Sequence, residues 1–193
     1  VHLDVTHEPS VRQCLDQIVV SWGPPSVLVN NAGVTITRPL LQQNESDFDH
    51  VVDTNLKGCW LVATEAARRM MAAGGGGSIV NIASIVGVRG AGGVGAYAIS
   101  QASVVQATKV MALELARHRI RVNALLPGYI VTDLNREFLA SEAGEKQKNR
   151  IPSRRFGEWA DLQGPLFLLA TDAGAAISGA TLPVDGAHLV SSL

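Results

Sequence analysis

Three apolar runs, each too continuous for a half-buried strand, constrain this chain more than any other feature of its sequence. They are Val27-Leu28-Val29, Ser78-Ile79-Val80-Asn81-Ile82 and Ile120-Arg121-Val122-Asn123-Ala124-Leu125-Leu126. A strand with one wet face alternates apolar and polar residues, whereas a near-continuous run is what a parallel strand covered on both faces requires. A fourth run, Thr181-Leu182-Pro183-Val184, follows near the end. Helical patterns lie around and between these runs. One covers Pro9 to Ser21, with Thr6 or Glu8 near its cap. Ser46 to Ala73 reads as two helices or one bent one. Tyr97 to His118 leads into the basic residues Arg117, His118 and Arg119, which suit the negative end of a helix dipole, and Asp161 to Thr171 is the last. Strands alternating with helices predict an α/β fold, a three-layer doubly wound parallel sheet with right-handed crossovers, in one domain over residues 1–193. Gly74-Gly75-Gly76-Gly77 sits between a helical pattern and a strand, and reads as a helix cap with a tight connection rather than a linker.

Composition removes several function classes. Sixteen Lys and Arg against 17 Asp and Glu leave a net charge of −1, without the basic excess that phosphate neutralisation on nucleic acid needs. No run of 18 apolar residues is present to span a membrane. Cys14 and Cys59 make no disulfide framework and no CxxC, which fits a reducing cytoplasm. Cys59 follows Gly58 and is expected to pack against the core. The five histidines share no metal-ligand spacing and read as surface or structural residues.

Parallel α/β sheets bind ligands at the carboxyl ends of their strands. The residues just beyond each run are therefore the ones that matter: Asn30-Asn31-Ala32-Gly33, Ala83-Ser84 and Pro127-Gly128-Tyr129-Ile130. All are small, polar or glycine-bearing, as close approach of a planar or phosphate-bearing ligand to a backbone demands.

From Asp4 to Gly186 these segments resemble, in order and in spacing, the short-chain dehydrogenase/reductases, with 3-oxoacyl reductases and sugar or polyol dehydrogenases nearest in flavour. The resemblance implies a Rossmann-like fold, NAD or NADP as cofactor, and hydride transfer between a nicotinamide and a carbonyl or alcohol carbon of a small molecule. It casts Asp4 and Val5 as the adenine contact and Asn31-Ala32-Gly33 as a cofactor loop. Asn55 becomes the holder of a proton-relaying water, Ser84 the group orienting the substrate oxygen, and Tyr97, 13 residues later, the general acid. Pro127, Gly128, Ile130 and Thr132 resemble the PG-x-x-x-T segment that contacts the nicotinamide half, and Ser178 to Gly186 resembles the terminal SGxxLxVDG strand. The resemblance also implies a homo-oligomer, dimer or tetramer.

Two departures from the family pattern stand out. Where the family has YxxxK, this chain reads Tyr97-Ala98-Ile99-Ser100-Gln101. The family's lysine binds the nicotinamide ribose and lowers the tyrosine pKa, and Gln101 can do part of the first and none of the second. A unit charge at about 4 Å is worth roughly 4 kcal/mol at an effective dielectric near 20, or about 3 pK units. Lys109 lies eight residues further on, about 12 Å along a helix, and cannot substitute. The expectation is an impaired catalyst, weakest in oxidation, because a neutral tyrosine can still donate a proton. The second departure is the family's TGxxxGxG segment, which has no counterpart. Gly90-Ala91-Gly92-Gly93-Val94-Gly95 falls after the second apolar run and reads as an approach to Tyr97. The sequence thus reads as N-terminally truncated by about 50 to 60 residues, judged from the size of βαβ units. The positions that choose NAD over NADP are absent with them. On that reading a strand at Val1–Val5 loses its neighbours, the edge of the Val27–Asn30 strand is bared, and the isolated chain is unstable or fails to bind a dinucleotide. A fragment, a truncated isoform and a degenerate copy all fit.

The rival reading is a catalytically inactive subunit that oligomerises with active homologues through Leu56–Ala73, Tyr97–His118 and Thr181–Val184. Asp133 to Arg155 is expected to be the substrate loop. Its basic excess suggests a solvated face before it suggests an anionic substrate. Ser191-Ser192-Leu193 resembles a peroxisomal ending too loosely to localise the chain.

Overall fold

The computed structural model describes residues 1–133 and 135–191. The peroxisomal-type ending falls largely outside them. Four strands, β1 (Val27–Asn30), β2 (Gly77–Ile82), β3 (Ile120–Pro127) and β4 (Thr181–Val184), form one sheet in the order β1-β2-β3-β4, and every pairing is parallel. The helices are α1 (Glu8–Trp22), α2 (Glu45–Val52), α3 (Cys59–Ala73), α4 (Gly95–Leu115), α5 (Arg136–Leu139), α6 (Glu142–Lys148) and α7 (Trp159–Ala170).

Successive residues of a strand face opposite ways, and the core splits accordingly. Ile79 and Val122 turn to one face, where they meet Val11 and Leu15 of α1, Ala63, Ala66 and Met70 of α3, and Met111 of α4. Val80 and Leu125 turn to the other, against Leu162, Leu166 and Leu169 of α7. The result is the expected three-layer, doubly wound arrangement. β2 and β3 are buried along nearly their whole length. β1 is not, contrary to the reading of its apolar run: Val27 and Val29 are 42% and 39% exposed. It lies at the sheet edge, and α7 covers β2, β3 and β4 instead.

Buried asparagines stitch the layers. Asn30 and Asn81 are register partners, and Asn30 Nδ2 donates to Asn81 Oδ1 at 2.9 Å. Asn81 Nδ2 in turn donates to Thr108 Oγ1 on α4 at 2.9 Å. On β3, Asn123 Nδ2 donates to Ile177 O at 2.9 Å, and its Oδ1 accepts from Ala180 N at 3.0 Å, fixing the approach to β4.

Two local expectations are corrected, the Val1–Val5 strand and the 133–155 loop. Val1–Val5 is not a strand, because the sheet ends at β1 and offers it no partner. Instead Asp4 Oδ1 accepts from both Thr6 N (2.9 Å) and Thr6 Oγ1 (2.7 Å), folding the segment into the turn that opens α1. The α1 N-cap is His7, with no side-chain bond, between the Thr6 and Glu8 read as near it. Ser46 to Ala73 forms two helices, the first of its two readings: α2 passes into α3 through a π-helical turn, Asp53–Gly58. The expected loop of residues 133–155 carries the two short helices α5 and α6. The tetraglycine behaves as read, with Gly74 closing α3 in the left-handed conformation (φ 70°). Among the described residues no helix is long and apolar enough to cross a membrane.

Asn123→Ala leaves the half-buried Ala180 N–H unpaired, at about 1–3 kcal/mol, while Ile177 O keeps the Arg121 guanidinium as a donor at 3.3 Å. Urea unfolding should therefore show a loss of about 2 kcal/mol, and a loss below about 0.5 kcal/mol would show that water replaces the lost bond.

Candidate active site

Because the strands are parallel and end in near register, the loops after β1, β2 and β3 leave the sheet along one edge. They enclose a cavity of about 940 Å³, at the upper end of the usual range for ligand pockets. Asn31, Ala32 and Gly33 line it after β1, Ser84 after β2, and Pro127, Gly128, Ile130 and Thr132 after β3. Tyr97, Gln101 and Asn55 complete the wall. Gly128 permits a close passage, since a Cβ there would meet Asp185 Cβ at 2.8 Å.

Asn55 sits in the π-helical turn, a distortion frequent at functional sites, and is buried. Its Oδ1 accepts from Val34 N at 2.8 Å, while its Nδ2 donates to Val34 O at 2.9 Å and to Ser100 Oγ at 3.1 Å. Ser100 Oγ donates onward to Tyr97 O at 2.8 Å. Asn55 therefore ties the loop after β1 to the turn of α4 that carries Tyr97. Both its amide hydrogens are engaged within the chain, so its side chain could offer a water only a lone pair.

Ser84 caps a single helical turn, Ile85–Gly87, with Oγ accepting from Val86 N at 3.3 Å. Tyr97 is half-buried. Burial of its hydroxyl pushes its pKa above the ordinary value of 10, and a hydrogen bond with the Ser84 side chain works against that rise without cancelling it. One helical turn on, Gln101 is only 4% exposed, and its Oε1 has no hydrogen-bond partner among the described residues. A buried, unpaired carbonyl oxygen in a cavity wall costs stability unless something donates to it.

Asp4 and Val5 are not brought to this cavity. The Asp4 carboxyl, held below its ordinary range by the Thr6 hydroxyl, caps its own turn, and Val5 packs beside Gly58. Two wall residues escaped the sequence reading, Arg89 and His188, while Tyr129 and Arg150 fall within the segments expected to meet a ligand. His188, read as a surface or structural residue, stacks on Tyr129 with ring centroids 6.0 Å apart. Each stands alone in its own loop, and no spacing marks it. Cys59 also lines the cavity but is inert: burial pushes its thiol up to about 12, against a weaker opposing hydrogen bond from Asn30.

This architecture, a parallel sheet with a serine and a tyrosine lining the cleft at its carboxyl end, is that of a Rossmann-like α/β protein. The family model described as "Enoyl-(Acyl carrier protein) reductase" matches residues 1–187. The chain is 38% identical over 188 residues to the 3-oxoacyl-(acyl-carrier-protein) reductase FabG of Thermotoga maritima, covering 97% of this chain and 76% of that protein. It is 38% identical over 187 residues to the 2-dehydro-3-deoxy-D-gluconate 5-dehydrogenase of Escherichia coli, covering 96% and 74%. The crystal structure of a gluconate 5-dehydrogenase from Burkholderia cenocepacia in complex with NADP and tartrate superposes with a TM-score of 0.94 at 34% identity, covering 98% and 74%. The chain belongs to the short-chain dehydrogenase/reductases, a family of NAD- or NADP-dependent enzymes.

The raised Cys59 pKa favours the neutral thiol, so its contribution to stability is complete below the ordinary value of 9.0 and is lost as pH climbs towards about 12. Iodoacetamide at pH near 8 should leave Cys59 unlabelled in the folded chain and label it in urea, as followed by peptide mass spectrometry. Labelling of the folded chain would show the thiol to be accessible.

Proposed function

We propose that this chain interconverts a carbonyl compound and the corresponding secondary alcohol with NAD or NADP, and that it serves best in the direction of reduction. The observation that carries this reading is the Ser84–Tyr97 pair, set on one cavity wall at the carboxyl ends of the strands. The residues fit the nicotinamide half of the cofactor. The Asn31–Gly33 and Pro127–Thr132 loops would hold it, and the unpartnered Gln101 Oε1 is an acceptor suited to a ribose hydroxyl. When bound, the cofactor supplies or accepts the hydride at the substrate carbon.

The chain's own residues handle the oxygen. As a carbonyl is reduced its oxygen gains negative charge, and Ser84 Oγ and Tyr97 Oη are donors for it. Tyr97 then gives up its proton as general acid. The raised Tyr97 pKa keeps that proton in place at neutral pH, which favours reduction. Oxidation needs the phenolate, and with Gln101 in the wall no cation stands one turn away to stabilise it. Asn55 fixes the geometry by clamping Val34 and, through Ser100, the Tyr97 backbone.

α4 leaves Ile99, Val110 and Leu113 exposed, and α3 leaves Trp60 and Met71. These apolar faces support self-association through α3 and α4. Together with Gln101 they also favour a second reading, a silent subunit that pairs with an active homologue. The two buried free thiols suit the cytoplasm.

Reduced-nicotinamide consumption with a panel of small ketones tests the catalytic reading. Tyr97→Phe should lower kcat about 10²–10⁴-fold and Ser84→Ala about 10²–10³-fold, with circular dichroism unchanged. Turnover in Tyr97→Phe equal to that of the unaltered chain would remove Tyr97 from the chemistry. Absence of turnover in both would favour the silent subunit.

A further inference from the structure

The structure sorts the basic residues of the 133–155 segment. Arg136 pairs with Asp133, Lys146 with Glu142, Lys148 with Glu145, and Arg155 with both oxygens of Asp161, at 2.7 and 2.9 Å. Arg154 bonds back to Asn149. Among the described residues Arg150 alone in this group has no side-chain partner, and Arg150 is the one that lines the cavity.

A second arginine faces the same space. Arg89 lies five residues beyond Ser84, on the connection that ends at Tyr97. One of its guanidinium nitrogens, Nη1, donates to His188 O and, at 2.8 Å, to Ser191 Oγ. No carboxylate pairs with it among the described residues. Among the described residues no Asp, Glu or Lys lines the cavity, and its charged side chains there are these two arginines.

His188, beside both, does not offset them. Its pKa is lowered first by burial and then by Arg89, with Arg150 adding and Asp185 opposing. The Asp185 carboxylate is itself engaged by the backbone N–H groups of Ala187 (3.0 Å) and Leu189 (2.6 Å). A cleft carrying two cations and no counter-charge attracts anions, and a guanidinium fork matches an oxyanion group. The loops suited to the cofactor, Asn31–Gly33 and Pro127–Thr132, carry no cation. Arg89 instead lies on the stretch between Ser84 and Tyr97, which would flank the reacting carbonyl.

We propose that Arg89 and Arg150 form an anion subsite, so that the substrate of this cavity is a carbonyl compound bearing an oxyanion group, either carboxylate or phosphate. The proposal rests on the carbonyl-reduction reading above and names its substrate class.

Calorimetric titration and steady-state turnover with levulinate, its neutral methyl ester and dihydroxyacetone phosphate test it on the full chain, with Arg150→Gln and Arg150→Lys alongside. Arg150 has no side-chain partner to lose among the described residues, so both variants should fold. Levulinate should bind, and be turned over through a lower KM, roughly tenfold better than its ester. The acid-to-ester ratio should fall towards one in Arg150→Gln and recover in part in Arg150→Lys. If dihydroxyacetone phosphate alone shows this dependence, the subsite stands and its anion is phosphate. Equal handling of acid and ester together with no Arg150 dependence for dihydroxyacetone phosphate, or an Arg150→Gln effect on NADH and NADPH affinity rather than on the anion, overturns the proposal. Arg150-dependent binding of the anion without turnover upholds the subsite and refutes the proposed reaction. Turnover of acid, ester and phosphate that is independent of Arg150 does the reverse.

Discussion

Parallel pairing is the constraint from which the rest follows. Each strand must leave the sheet at the same end, so chemistry-bearing loops from distant parts of the sequence converge. Asn30 pairs with Asn81, Ile82 with Leu125, and Pro127 with Val184, so the strand ends lie within a few residues of one another. The buried chain from Asn30 through Asn81 to Thr108 holds that register by hydrogen bonds that a one-residue slip would break. Nothing else brings Gly33, Ser84 and Gly128 to one wall.

Within that frame the site depends on two amide side chains that behave oppositely. Asn55 is fully engaged, and its bonds to Val34 and Ser100 turn a distorted helix into a brace for Tyr97. Gln101 is buried yet leaves its oxygen unpaired. The first arrangement rigidifies and the second waits for a donor. With a neutral residue one turn from it, burial is the larger influence on the Tyr97 phenol, outweighing the Ser84 hydrogen bond, and it favours the protonated form. On the proposed reading, the neutral Gln101 gives the site a preferred direction, reduction over oxidation.

The four apolar runs read as strands end within one residue of β1 to β4, because burial inside a parallel sheet leaves a continuous apolar run, and the helical readings end within three residues of α1 to α4 and α7. The loop residues Asn31 to Gly33, Ser84 and Pro127 to Thr132 were legible for the same reason: the sheet dictates where a ligand goes. The family resemblance supplied Asn55 and Tyr97, which no periodicity singles out. Other features were not legible. The exposure of β1 depends on which helix lies over which strand, a tertiary fact. Thr6 and Asp4 formed a local turn where a strand was expected, because a strand without a neighbour has no ladder to join. His188, Arg89 and Arg150 come from separate connections, and only the folded chain shows which cations meet a carboxylate and which meet the cavity.

The central claim is that the charge missing at Gln101 holds Tyr97 protonated. It is tested most directly by the pH profile of alcohol oxidation in the unaltered chain, in Gln101→Lys and in the uncharged Gln101→Met. Oxidation by the unaltered chain and by Gln101→Met should still be rising at pH 10, whereas Gln101→Lys should bring the inflection down by about 3 pH units. Superimposable profiles for all three would contradict the account.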